Sequence, residues 1–245
     1  MSEHFTLAET AEPEGFGRMH IPSFEVPSAE LPMRPVNEGG HELLQIGDIE
    51  TARRNWEHQG NNELRYEGTC SLASIAQVMR LHGYSVTEND VVKWAAERGL
   101  CDPPGNPPNY QNAGGANEIQ IKHILKGMLG LESQHENTKS IERIAEMVES
   151  GKGVLMSVAS KVLWKQDKLT PADLVGDHIV SVVGVARDAD GTLAGLYIND
   201  TGIPDAKMGA GRLVSLQDLQ DCALVQRGVT ITIDMPPRAA PSPGV

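Results

Sequence analysis

Apolar positions along the chain change their spacing about halfway, from a helical period to a strand period. In the first half, apolar residues recur every three or four positions in segments that each end at a glycine. Thr87, Asn117 and Ser140 stand at the N-cap positions of three of these segments. The pattern predicts helices over residues 71–82, 88–98, 118–129 and 141–150.

The second half contains short apolar runs that are typical of strands. An Asp-Gly pair at residues 190–191 is a strong hairpin signal between two of these runs. The predicted strands cover residues 154–159, 178–186, 195–198 and 229–233. Helices followed by an antiparallel sheet predict an α+β fold.

Both ends of the chain differ from the part between them. Residues 1–45 are rich in proline and acidic residues and show no sustained period, which predicts an extended or disordered arm. This arm is either a plain linker or a pro-segment that lies over an active site. Residues 236–245 form a second proline-rich tail, so we expect one folded domain over residues 46–235.

Charge and cysteine content narrow the function classes. The 245 residues carry a formal net charge of −12, of which residues 1–50 contribute −8, so nucleic acid and anionic membranes are not expected as partners. The start of the chain has no secretory signal, and no apolar run is long enough to span a bilayer. Three widely spaced cysteines without a CxxC pair indicate neither a disulfide framework nor a zinc site, and we expect no cofactor. A reduced cytoplasmic protein is the default, and export by a signal-independent secretion system remains open.

Cys70 is the first candidate for chemistry, because it stands where a loop enters the first predicted helix. Unbonded N–H groups and the positive end of the helix dipole converge at such a position and stabilise a thiolate. The position alone leaves a second interpretation open, since a helical cysteine is commonly a small buried hydrophobic residue.

Two candidate partners of Cys70 come from the predicted sheet. His178 begins one strand and Asp200 follows its hairpin partner, so the hairpin brings them side by side. A carboxylate in that place would fix the imidazole tautomer and stabilise the imidazolium. Asn199 is a rival for this role, because neighbouring strand residues face opposite sides and only one of them reaches His178.

With Cys, His and Asp in this order, the sequence resembles the papain-like cysteine peptidases. It is most similar to bacteriocin-processing peptidase domains of the double-glycine type and to papain-like domains of bacterial polymorphic toxins. The resemblance implies a helical half with Cys70 as nucleophile and an antiparallel sheet with His178 as general base and acid and Asp200 as orienter. Ser71 is a departure, because glycine often follows the nucleophile in the double-glycine group. The resemblance spans about residues 55–235 and rests on Gln59-Gly60-Asn61-Asn62, Gly68-Thr69-Cys70, Gly114-Gly115, residues 148–154, Asp177-His178-Ile179-Val180 and Asn199-Asp200-Thr201-Gly202.

The resemblance also implies an oxyanion hole built from the Cys70 N–H and an upstream glutamine. The candidate is Gln59, eleven residues before Cys70. The usual gap is shorter, and the position where the glutamine is expected is Leu64. A loop insertion would absorb the difference, and Asn61 or Asn62 is an alternative donor.

The expected activity is hydrolysis of an amide bond in a protein or peptide through a Cys70 thioester. The same triad serves proteolysis, glutamine deamidation and transamidation, depending on what resolves the acyl-enzyme. The likeness to toxin domains implies a secreted bacterial effector with a cognate immunity protein, inhibitor or secretion carrier as partner.

Three further hypotheses remain at this point. The weak oxyanion match favours a catalytically inert papain-like recognition module. A peptidoglycan peptidase is less favoured, because that branch more often uses histidine as the orienter. The double-glycine likeness suggests self-cleavage after Gly39-Gly40.

Overall fold

The computed structural model describes residues 31–236, so the first 30 residues of the predicted arm and residues 237–245 of the predicted tail lie outside the described residues. The helices are α1 (Ile49–Arg54), α2 (Cys70–Leu81), α3 (Glu88–Glu97), α4 (Glu118–Leu129), α5 (Ile141–Glu149), α6 (Ser160–Leu163), α7 (Ala206–Gly209) and α8 (Leu216–Ala223), with a 3-10 turn at Pro171–Asp173. The strands are β1 (Met33–Glu38), β2 (His41–Ile46), β3 (Ser133–Asn137), β4 (Gly153–Val158), β5 (His178–Arg187), β6 (Leu193–Asn199), β7 (Arg212–Ser215) and β8 (Val229–Ile233).

The predicted α+β class and its main elements are confirmed. The four predicted helices are α2 to α5, and Thr87, Asn117 and Ser140 each accept a hydrogen bond from a first-turn backbone N–H. The predicted strands are β4, β5, β6 and β8. Among the described helices, none is long and apolar enough to cross a membrane.

All eight strands form one antiparallel sheet with β5 at its centre. One edge of β5 pairs with β4 over residues 178–182 and then with β2 over residues 185–187. The other edge pairs with β6, and β7 extends the sheet beyond β6. The long strand β5 therefore connects all parts of the sheet, and its first residue is His178.

Helices cover both faces of the sheet at β4, which is buried along its whole length. Because side chains alternate across a strand, Leu155 packs among the side chains of α2, α3 and α4, whereas Val154 and Met156 pack on the side of α5 and α8. A strand that is buried on both faces has a continuous run of apolar residues in its sequence. That property explains why the sequence predicts β4 without alternation.

The N-terminal boundary of the folded part differs from the prediction. Residues 33–45, predicted to belong to the arm, form β1 and most of β2, and β2 pairs with β5. The turn between them is Gly39-Gly40, with positive φ at both residues, as a tight hairpin turn requires. Most side chains of this edge hairpin are exposed, so its apolar pattern is faint. The turn projects beyond the end of β5 opposite His178, so the structure does not bring Gly39-Gly40 to Cys70 of the same chain.

The hairpin predicts a contrast between two residues that face each other in its register, Met33 and Ile46. Ile46 is 8% exposed and packs in the main core, whereas Met33 is 67% exposed. Ile46→Ala should lower the free energy of unfolding by about 2 kcal/mol or more, since it leaves a cavity. Met33→Ala should change it by less than about 0.5 kcal/mol. Urea unfolding followed by tryptophan fluorescence measures both, and equal small effects would show that the hairpin contributes little to the fold.

Candidate active site

Cys70 is the first residue of α2, and the local backbone leaves hydrogen-bond donors near its sulfur. Thr69 occupies the N-cap position, but its side chain makes no capping bond to the helix. The first-turn N–H groups of α2 are therefore open to other acceptors. The backbone N–H groups of Ser71 and Ile179 both donate to the Cys70 sulfur, so the thiolate is held from the helix and from the sheet.

His178 lies between the other two candidate residues and is only 6% exposed. Its Nε2 is 2.8 Å from Asp200 Oδ1. The imidazole also forms a hydrogen bond with the Cys70 side chain. Because Nε2 faces Asp200, Nδ1 is the nitrogen left for Cys70. The indole of Trp164 packs against the imidazole, with 5.5 Å between ring centroids.

Asp200 follows β6 and is fully buried, with donors on both carboxylate oxygens. The Gly202 N–H donates to Oδ1 at 3.0 Å, beside His178. Trp164 Nε1 donates to Oδ2 at 2.9 Å, and a nitrogen of the Arg212 guanidinium lies 3.4 Å from the same oxygen. With this set of partners, Asp200 can stay ionised in the interior and hold His178 in one orientation.

The three side chains shift one another's pKa values towards a charged arrangement. Burial opposes ionisation of Cys70, but the hydrogen bond and the charge of His178 outweigh it and lower the pKa of the thiol. Burial likewise opposes protonation of His178, but its bonds to Asp200 and Cys70 raise the pKa of the imidazole to about 10. For Asp200, burial raises the pKa, and the bonds from His178 and Trp164 reverse this and leave the pKa below its usual value. At neutral pH these directions favour a thiolate–imidazolium pair.

Buried polar contacts join the helical half to the sheet beside this pair. Ser74, one turn along α2 from Cys70, donates to the Ile179 carbonyl at 3.1 Å. The Oε1 of Gln77, about a further turn along, accepts from Ser181 Oγ of β5 at 3.5 Å. Apolar packing alone tolerates sliding, whereas directional bonds fix how α2 is rotated against β5. The distance between the sulfur and the imidazole is therefore set by contacts on both sides of the junction.

A cavity of about 590 Å³ opens between the two halves. Its helical wall includes Cys70 and Asn117, and its sheet wall includes His178, Gly176 and Arg227. The nucleophile and the base thus face a common space that is large enough for several residues of a peptide.

Gln59, the candidate oxyanion donor, lies on the loop beside the nucleophile but not among the residues that line this cavity. Its backbone N–H donates to Thr201 O, and its Oε1 accepts from Thr201 Oγ1, both at 3.0 Å. Its Nε2 donates to Glu67 O at 2.7 Å. One of the two amide hydrogens is used in this contact, so one remains for another acceptor.

The alternative donors are less suitable. Asn62 Nδ2 donates to Tyr66 O and to Glu88 Oε1, which uses both of its amide hydrogens. Asn61 is exposed, and its backbone N–H also donates to Glu88. Asn62 is therefore excluded as an oxyanion donor in this conformation.

Asn199 does not take the place of Asp200. Its Nδ2 donates to Ala52 O at 2.9 Å, and its Oδ1 accepts from Gly211 N at 2.7 Å. The alternation of side chains at the end of β6 directs Asn199 to α1 and Asp200 to His178.

Trp164 and Arg212 are site residues whose positions were not predicted. The sequence pattern carries no signal for Arg212, because only the register between β6 and β7, which pairs Ile198 with Arg212, brings it to Asp200. The indole nitrogen of Trp164 reaches Asp200 from the segment before β5. A single tryptophan in a segment without a sustained period carries no sequence signal for this contact.

The other two cysteines have the opposite electrostatic environment. Burial raises the pKa of Cys101 to about 11 and the pKa of Cys222 to about 12. Both thiols are buried and remain protonated at neutral pH. Within residues 31–236, no group of three or more His, Cys, Asp or Glu side chains is arranged to hold a metal ion.

Comparison with known proteins places this geometry in a family. The model of the Peptidase_C39 like family matches residues 49–209, a range that contains Gln59, Cys70, His178 and Asp200. No curated protein matches the chain in sequence.

Two solved structures are similar in fold. A protein described as a C39-like peptidase from Bacillus anthracis superposes with a TM-score of 0.52 at 17% identity, over 79% of this chain and 98% of that one. UfSP from C. elegans gives a TM-score of 0.42 at 15% identity, over 87% of this chain and 39% of that one. At 17% identity the first likeness shows the fold alone.

The electrostatics predict how alkylation of Cys70 by iodoacetamide depends on pH. Since the pKa of Cys70 is lowered, the midpoint of the rate against pH should lie below about 8.5, the usual pKa of a thiol. His178→Ala removes the bond and the charge that lower the pKa, and burial remains. The midpoint should therefore rise to about 8.5 or above in this variant. Mass spectrometry of samples quenched over time gives both profiles.

Cys70→Ala is the control for this measurement. Because the pKa values of Cys101 and Cys222 are raised and both thiols are buried, the variant should stay unlabelled under native conditions. Identical profiles in the wild-type protein and His178→Ala would mean that the imidazole does not act on the thiol.

Proposed function

The chain belongs to the Peptidase_C39 like family, and from that premise we propose a cysteine peptidase with Cys70 as nucleophile, His178 as general base and acid, and Asp200 as orienter. The observation that carries the proposal is the position of His178, 2.8 Å from Asp200 on one side and hydrogen-bonded to Cys70 on the other. A nucleophile, a base and a group that orients the base are the parts that acyl transfer requires.

The proposed reaction has two stages. The Cys70 thiolate attacks the carbonyl carbon of the peptide bond and forms a C–S bond and an oxyanion. His178 then gives its Nδ1 proton to the leaving nitrogen as the C–N bond breaks, and a thioester remains on Cys70. A water molecule loses a proton to His178 and attacks the thioester, and the C–S bond breaks to release the acid and restore the thiolate–imidazolium pair. Throughout, Asp200 accepts from Nε2 and stabilises the imidazolium.

The proposed oxyanion hole combines the Cys70 backbone N–H with the free amide hydrogen of Gln59. The place of Cys70 as the first residue of α2 supports the first donor, since the N–H groups of the first turn have no partner within the helix. The position of Gln59 between Glu67 and Thr201 supports the second, since these contacts hold the amide next to the nucleophile loop.

The cavity beside Cys70 supports a peptide as the substrate, and the same residues would act on a glutamine side chain. A chain that attacks a glutamine amide forms the same thioester but releases ammonia. Water then gives glutamate, whereas an amine gives a transamidated product. Proteolysis and deamidation therefore differ in the products and not in the first step.

The first activity test is incubation of the wild-type protein and Cys70→Ala with a digest of unfolded cellular protein. Cleavage should produce new peptide termini with the wild-type protein, and Cys70→Ala should produce none, since the nucleophile is lost. Peptide mass spectrometry detects the termini and defines the sequence around each cleaved bond.

The same spectra decide between the alternatives. A mass increase of about 1 Da at glutamine without new termini would replace the peptidase with a deamidase on the same triad. Neither product, together with an unreactive Cys70, would leave a papain-like recognition module without catalysis.

A role as a delivered bacterial effector is a narrower proposal that rests on the resemblance to toxin domains. Expression inside a bacterial cell should slow growth with the wild-type chain and not with Cys70→Ala at the same protein level. Equal growth in the two strains, with cleavage confirmed in vitro, would remove toxicity from the proposal and leave the peptidase.

A further inference from the structure

Glu88 is the first residue of α3, and its carboxylate is fully buried at the base of the loop that leads to Cys70. Four donors from that loop surround it: Thr69 Oγ1 at 2.6 Å, Gly60 N at 2.9 Å, Asn62 Nδ2 at 3.0 Å and Asn61 N at 3.1 Å. Burial of a carboxylate is costly unless its oxygens are hydrogen-bonded. Here the loop supplies the compensating donors, so the loop conformation and the burial of Glu88 depend on each other.

The contact with Thr69 fixes the residue that directly precedes Cys70. The Thr69 hydroxyl donates to Glu88 and accepts from Gly60 N at 3.2 Å. A threonine at this position usually accepts from the first turn of the helix that it precedes. Here Glu88 and Gly60 bind the hydroxyl instead. They hold Thr69 in place, and with it the peptide bond between Thr69 and Cys70, whose N–H is the first proposed oxyanion donor.

The contact with Gly60 fixes the residue next to it in the chain. Gln59 is bound to Thr201 through its backbone N–H and its Oε1. Gly60, which follows it, donates to Glu88. Gln59 is therefore held from the sheet on one side and from α3 on the other. This anchoring also explains how Gln59 can lie eleven residues before Cys70, because the loop between them folds around the carboxylate of Glu88.

We infer that Glu88 is a positioning residue for the oxyanion hole. It holds the two proposed donors, the Cys70 N–H and Gln59, where they face the carbonyl of the substrate. The inference rests on the proposed function, because it assigns Glu88 a part in acyl transfer. Glu88 touches neither the substrate nor the reacting sulfur. It acts through Thr69 and Gly60.

Two probes separate positioning of the oxyanion hole from formation of the thiolate. With p-nitrophenyl acetate, the thiolate forms a C–S bond to the acyl carbon through an oxyanion, and p-nitrophenolate leaves. With iodoacetamide, the thiolate forms a C–S bond as the C–I bond breaks, and no carbonyl oxygen becomes an oxyanion. The ratio of the two second-order rate constants at one pH therefore measures the oxyanion hole and is insensitive to the amount of thiolate.

Glu88→Gln should lower this ratio by about tenfold or more, since a small displacement of a catalytic donor is costly. The amide has one acceptor oxygen and directs N–H groups at a loop N–H, so it cannot satisfy all four donors. Thr69→Val, which keeps the side-chain shape and removes the hydroxyl, should lower the ratio in the same direction. Gln59→Ala should lower it as well, and combining it with Glu88→Gln should cost less than the product of the two separate effects.

Glu63→Gln is the matched control. Glu63 lies on the same loop and also bridges to α3, through Lys93 and Asn89, but it is exposed and has no contact with Thr69 or Gly60. Its ratio should equal that of the wild-type protein.

The outcomes distinguish the inference from the proposed function. A normal iodoacetamide rate and an unchanged ratio in both Glu88→Gln and Thr69→Val would overturn the role of Glu88 and leave the triad intact. Equal losses with both probes would also overturn it, because Glu88 would then support only the fold or the thiolate. An ordinary pH profile for Cys70 in the wild-type protein would instead overturn the proposed function itself.

Discussion

The antiparallel pairing of β5 with β6 is the constraint on which the rest of the site depends. Its register pairs Ser181 with Asn199, so the start of β5 and the end of β6 meet at one edge of the sheet. That edge places a histidine beside a carboxylate in the protein interior. Burial alone would raise the pKa of the Cys70 thiol, and the hydrogen bond and charge of His178, with the N–H groups of Ile179 and Ser71, lower it instead.

The sequence predicts those helices, strands and contacts of the site that the residue pattern within a single segment determines. Periodic segments, three of them with N-cap residues, predict α2 to α5. The Asp-Gly turn predicts the β5–β6 hairpin, which in turn predicts the contact of His178 with Asp200. The choice of Asp200 over Asn199 was open, because alternation shows only that they face opposite ways. The position of α1 and of Gly211, which bind Asn199, resolves it.

The parts that the sequence does not predict depend on contacts between distant segments. Arg212 reaches Asp200 through strand register, and Glu88 accepts from a loop more than twenty residues away, so neither has a local signature. The sequence does not predict the β1–β2 hairpin, for a different reason. Its strands lie at an edge and keep most side chains in water, and its proline and two glutamates are typical of a linker. Its Gly39-Gly40 turn was the available signal.

Cys70 lies on α2 and His178 lies on the sheet, and this division also has a consequence for the order in which the site forms during synthesis. Cys70 precedes His178 by 108 residues, and the sheet around His178 is completed only when β8 has joined β4. During synthesis the residues of α2 therefore emerge long before His178 and Asp200, and until then Cys70 lacks the partner that lowers its pKa. A chain that stops before the end of β6 would lack Asp200 and the hydrogen bond that holds His178, so the environment that makes the Cys70 thiol acidic would be incomplete.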